Sequence, residues 1–187
     1  MKKIFVLIFS FLFLLGANFC LANENWDEIY ESLKPADFEY MFGQDPYQTE
    51  DYLKYNLSPY PLLRTGVDFV FKNTVIPKGY YLLTPREKNG VQYVLFKQQG
   101  KVKYVIPTYK TGIVEPTFYD KYIQVPKKNW WDKVCDFGNK IVGKISKQSK
   151  KTEPMKAYID VNQIGQDYWE IIVYYGLSKY YLLFRQN

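Results

Sequence analysis

Acid and base chemistry in this chain has carboxylates to draw on and no imidazole. Glu50, Asp51, Asp120, Asp132, Asp136, Asp160, Asp167 and Glu170 are available, and histidine is absent from all 187 residues. Two carboxyls facing each other across a cleft would suit hydrolysis of a glycosidic bond, one donating a proton and the other serving as base or nucleophile. Asp132 and Asp136 stand one helical turn apart beside Lys133 and Lys140, which is the spacing of surface ion pairs. The lack of His removes Ser-His-Asp and Cys-His catalysis, imidazole metal ligation and histidine pH sensing together. Cys135 therefore has no base to activate it, and no Ser is followed by Lys three residues on, so local nucleophile activation is missing too.

Asp160, Asn162, Gly165, Asp167 and Glu170 invite comparison with a calcium loop. That motif needs an oxygen ligand at its fifth place and a bidentate Glu at its twelfth. Ile164 and Ile171 stand there instead, so a polar hairpin turn is expected and no metal site is assigned. No Gly-x-Gly-x-x-Gly or phosphate-cradling loop occurs, and strands do not alternate with helices as a nucleotide-binding sheet requires. No cofactor and no nucleotide are expected.

The remaining chemical signal is a basic helical face. At about 100° per residue, Lys133, Lys140, Lys144, Lys147 and Lys151 share one stripe of a helix expected over residues 129–151, with Trp130 and Trp131 at its start. Trp130, Val134, Phe137, Ile141 and Ile145 occupy the neighbouring arc. Lysines reaching anionic headgroups, with aromatics at the interface, would make a membrane or partner surface. The competing expectation is a surface helix packed on a sheet with its lysines in water.

The elements that must position these residues are mostly strands. Residues 23–62 read as a helical and extended arm: Trp26, Ile29, Tyr30 and Leu33 have helical spacing, Lys34-Pro35 ends the run, and one turn of helix is expected around Tyr47 to Tyr55. Residues 66–125 carry a first strand set, with Asn89-Gly90 and Gln99-Gly100 as turns and Tyr119 to Val125 as its last strand. Residues 155–187 carry a second set. Laying Gln92 to Ile106 over Tyr168 to Leu182 aligns Gly100 with Gly176 and Lys103-Tyr104 with Lys179-Tyr180, so the sets share a hairpin pattern or an ancestor. The expected fold is mainly β with added helices (α+β): antiparallel meanders forming a barrel-like or sandwich core, and one long amphipathic helix between the two strand sets.

The chain begins with Lys2-Lys3, an apolar run from Ile4 to Leu15 and then Cys20-Leu21-Ala22, the order of a secretory signal peptide over residues 1–22. A run of about a dozen residues is short of the roughly 20 that span a bilayer. Asn18 and bulky Phe19 before Cys20 disfavour lipid anchoring there. Cleavage near Ala22 would leave one secreted or periplasmic domain, residues 23–187, with Cys135 alone and so no internal disulfide. The net charge of +6 falls by two without Lys2 and Lys3, and no nucleic-acid motif gathers the rest. The 19 tyrosines suit strands that pack one face and keep a hydroxyl wet. Together these features point to an exported, non-enzymatic binding or envelope-associated protein, with a carboxylate-dependent hydrolase of a cell-wall or sugar polymer as the alternative.

Overall fold

The computed structural model describes residues 25–55, 58–122, 152 and 155–186. Within these, short helices α1 (Trp26–Ser32), α2 (Gln48–Lys54) and α3 (Phe118–Tyr122) accompany ten strands. The strands are β1 (Leu62–Thr65), β2 (Phe69–Phe71), β3 (Thr74–Ile76), β4 (Gly79–Lys88), β5 (Val91–Gln98), β6 (Lys101–Pro107), β7 (Lys110–Ile113), β8 (Ala157–Ile164), β9 (Tyr168–Tyr175) and β10 (Ser178–Gln186). The protein is thus mainly antiparallel β with few helices. Among the described residues no helix is long and apolar enough to cross a membrane.

Two sheets form, ordered β1-β4-β5-β6 and β3-β2-β10-β9-β8, with β7 also beside β10. The barrel-like alternative is corrected: neither sheet closes, because β1 and β6 end the first ladder without pairing to the second. One apolar cluster joins the sheets, taking Leu83, Val94, Phe96 and Ile106 from the first and Ile171, Val173, Leu182 and Phe184 from the second. The Phe96 and Phe184 rings meet at 6.0 Å between centroids. Burial of such side chains contributes about 1.5–3 kcal/mol each and supplies the main driving force for this arrangement.

β4–β5–β6 and β8–β9–β10 are both three-stranded meanders. Phe96 pairs with Tyr104 as Val173 pairs with Tyr180, so the shared Lys-Tyr of β6 and β10 holds equivalent places. The leading strands are one residue out of the sequence alignment, and the difference is absorbed where the β5–β6 register shifts between Phe96 and Lys97, a bulge. The turns differ accordingly. Gln99 and Gly100 both have positive φ, 51° and 75°, the primed geometry of a two-residue hairpin, whereas Gly176 at φ 60° is the first residue of its turn.

Several expectations need correction. The segment from Tyr119, read as a strand, begins as α3: the Phe118 N–H bonds to the Glu115 carbonyl, Asp120 sits in the first turn, and the helical spacing turns Phe118 and Tyr122 onto Tyr158. β1 overlaps the expected arm only at Leu62 and otherwise fills the gap before the first strand set, and β3 and β7 were missed. The strand sets also intermix. β2 and β7 both join β10, with Val70 opposite Arg185 and Thr111 opposite Tyr180. The long helix expected over residues 129–151 lies outside the described residues, as do Cys135 and the lysines of its stripe.

Candidate functional site

Strand β5 is buried on both faces from Tyr93 to Lys97. Its inward side chains, Val94 and Phe96, belong to the core. Its outward ones, Tyr93, Leu95 and Lys97, stand opposite Arg86, Thr84 and Leu82 of β4. Residues of the arm cover this outer face, Phe38 against the Tyr93 ring and Asp45 against Lys97. Lys97 is therefore an ammonium with only 3 % of its surface exposed, a position tolerable only with a countercharge.

Asp45 supplies that countercharge. Its Oδ2 accepts from Lys97 Nζ at 2.5 Å and from Arg86 Nη2 at 2.8 Å, while Oδ1 accepts from Arg86 Nε at 3.3 Å and from the Tyr47 N–H at 3.2 Å. Asp51 in the first turn of α2 completes the cluster, its Oδ2 accepting from Arg86 Nη2 and from the Tyr60 hydroxyl, both at 2.7 Å. Arg86 Nη1 donates to the Tyr60 oxygen at 2.6 Å. Thr84 Oγ1, on the same face and fully buried, has no hydrogen-bond partner among the described residues.

The electrostatics follow from burial against pairing. Burial pushes the Asp45 carboxyl up, but the hydrogen bonds from Arg86 and Lys97 outweigh it and hold Asp45 below the usual carboxylate range. Burial works to lower Arg86, yet Asp45 and Tyr60 keep its guanidinium above its ordinary value. Burial depresses the Lys97 ammonium, and the Asp45 carboxylate opposes that loss. Burial likewise raises Tyr60, so its hydroxyl stays protonated as a donor to Asp51. Two cations and two carboxylates cancel. A carboxyl held ionised in this way is a poor proton donor at neutral pH.

A cleft of about 160 Å³ opens beside the cluster. Asp51 and Tyr52 of α2, Pro59, Tyr60, Leu62, Leu82 and Lys97 line it, with Gln99 and Gly100 at its rim. Its floor is a single registered row across three strands: Leu62 opposite Leu82, and Leu82 opposite Lys97. The row runs from exposed apolar to buried cationic.

The residues singled out in the sequence fall elsewhere, Asp51 excepted. Trp130, Trp131, Lys133, Lys140, Lys144, Lys147 and Lys151 lie outside the described residues, as do Asp132 and Asp136. Asp120 is exposed and pairs with Lys156 at 3.0 Å. Asp160, Asn162, Gly165, Asp167 and Glu170 lie along the β8–β9 hairpin, where Asn162 faces Glu170 and Glu170 accepts from the Tyr109 hydroxyl. Among the described residues no group of three acidic or thiol side chains is placed to hold a metal ion.

Asp45, Arg86 and Lys97 were missed. A signal existed: Tyr93-Val94-Leu95-Phe96 is apolar at both strand parities, so the Lys that follows had to enter a covered face. Comparison with protein-family models, with curated proteins and with solved structures finds no match for this chain.

Proposed function

We propose that this is an exported, non-enzymatic binding protein, secreted or periplasmic after cleavage near Ala22, that associates with the cell envelope. The observation that carries the reading is the condition of the Asp45–Arg86–Lys97–Asp51 cluster: each carboxylate is shared with a cation, and a small cleft opens beside it. Such a site holds a ligand by complementarity and offers no poised acid. The exposed Tyr47 ring, beside Arg86, adds contact area on the same side. The basic stripe expected over residues 129–151 provides a second envelope surface, with Lys133, Lys140, Lys144, Lys147 and Lys151 toward anionic headgroups and Trp130 and Trp131 at the interface.

Sedimentation of the exported chain with envelope fragments and with anionic lipid vesicles tests the proposal. The chain is expected to pellet with envelope fragments, and its vesicle-bound fraction to fall when Lys140, Lys144 and Lys147 are changed to Glu. Release of new reducing ends from wall polymer would favour the hydrolase alternative instead. Absence from both pellets would overturn envelope association.

A further inference from the structure

We propose that the β9–β10 turn and the end of β7 beside it insert into an anionic lipid surface. This rests on the envelope-association reading and deepens it, with residues apart from the stripe at 129–151. The hairpin needs a glycine where Gly176 stands. Two residues separate the strands and only the first has positive φ, 60°, which makes the turn type II′. It does not need Leu177. The second place of such a turn suits Asn, Asp or Ser, and the leucine there leaves 74 % of its surface in water. Apolar neighbours extend it. The Val114 N–H donates to the Leu177 carbonyl at 2.9 Å, which sets Ile113, 83 % exposed, beside the turn. On the other side the Gly176 N–H donates to the Lys156 carbonyl at 2.9 Å, and Met155, about half exposed, lies against Gly176. Single exposed apolar side chains are ordinary, whereas three gathered from β7, the turn and the start of β8 mark an interaction site.

The cations beside the turn specify what covers it. Lys110 and Lys179 hold their Nζ atoms over the Tyr181 ring, 5.6 and 5.5 Å from its centre, and among the described residues neither pairs with a carboxylate. Nearby acids do not cancel them. Asp120 is taken by Lys156, Glu115 and Lys121 on either side of Phe118 offset each other, and Asp160 lies on β8, with β9 between it and β10. A small anion would answer the lysines and leave Ile113 and Leu177 in water. A neutral hydrocarbon surface would do the reverse. An anionic bilayer answers both, with the apolar side chains below the headgroups and the ammoniums among the phosphates.

Sedimentation of the exported chain with phosphatidylglycerol-containing vesicles, with phosphatidylcholine vesicles and with envelope fragments tests the assignment. Binding to the anionic vesicles is expected, and Leu177→Asn combined with Ile113→Thr should weaken it at least about tenfold. Asn suits the second place of a type II′ turn, so the melting temperature should hold or rise, which separates lost insertion from a lost fold. Lys110→Gln with Lys179→Gln should weaken anionic binding about fivefold or more and leave the phosphatidylcholine arm as it was. The apolar pair should cause a further loss in a chain already carrying Lys140→Glu, Lys144→Glu and Lys147→Glu, which assigns that share to the turn. Unchanged vesicle binding by the Leu177→Asn, Ile113→Thr protein, in either background, would overturn the proposal and leave envelope association standing. So would pelleting with envelope fragments and with neither vesicle, which would make the partner a protein or a wall polymer. Absence from every pellet would overturn both readings.

Discussion

The meanders β4–β5–β6 and β8–β9–β10 turn similar apolar faces toward each other, and opposite chemistry covers their outer faces. On the first, the arm is held by shared charges: Asp45 to Arg86 and Lys97, Asp51 to Arg86. On the second, α3 lies down through aromatic contact. Phe118 stacks on Tyr174 at 4.1 Å with 15° between planes, Tyr122 and Tyr158 flank it, and the Tyr119 hydroxyl donates to the Gly176 carbonyl at 2.8 Å. Burial pushes Tyr119 and Tyr174 up to about 12, so these hydroxyls stay neutral. Stacked rings adapt to many neighbours and close over the surface. A charge network is particular about geometry, and it leaves donors and acceptors whose valences its own members do not fill. That difference places the cleft on the first meander.

The largest expected break in this comparison is Asp45→Ala. It strands Lys97 without its countercharge, and loss of one partner from a buried pair costs about 3–5 kcal/mol, a large share of the roughly 5–15 kcal/mol that holds a domain folded. Urea unfolding measures it. Replacing both members, Asp45→Leu with Lys97→Met, should restore most of that loss, because an apolar pair carries no desolvation penalty.

Phe118→Ala is the matching change on the other meander. It removes a half-buried ring and its stacking contact, at about 1–2 kcal/mol in the same urea assay. A loss as large as that of Asp45→Ala would show that the aromatic cover is no more forgiving than the ionic one.

Acid separates the halves more finely. Asp45 is held below its ordinary value of 3.8, so its contribution to stability is complete above that value and is lost as pH falls from there through the lower value of the folded state. Thermal unfolding from pH 5 downward should therefore decline more steeply in the native protein than in Asp45→Asn, while Phe118→Ala should keep the native slope. Alkali does not discriminate in this way. Raised tyrosines occur on both sides, Tyr60 on the first and Tyr119 and Tyr174 on the second, and each loses its contribution as pH rises from about 10 through its folded value.

Local pattern made much of the fold legible. Alternating and apolar runs marked β4, β5, β6, β8, β9 and β10, and Asn89-Gly90 and Gln99-Gly100 marked their hairpins, because primed turns demand positive φ and few residues accept it. Trp26, Ile29 and Tyr30 at helical spacing gave α1, and its buried Tyr30 accepts from the Lys72 N–H at 2.6 Å. Short strands were less visible. β3 and β7 have three and four residues, and their pairing with β2 and β10 depends on distant chain. α3 was misread because Phe118, Tyr119 and Tyr122 favour strands by type and are helical only by what they pack against. The site was hidden for the same reason. Asp45 meets Lys97 across 52 residues, and no local spacing encodes that meeting.

The central claim is that the Asp45 cluster latches the arm to the first meander and thereby forms the cleft. Amide hydrogen exchange on the native protein and on Asp45→Asn, at neutral pH, tests it most directly, since local opening exposes only the segment released. The predicted result is faster exchange across Asp51 and Tyr55, whose amides close α2, with Ile171 to Val173 of β9 unchanged. Equal protection of α2 in both proteins would contradict the claim, as would a uniform loss across both meanders.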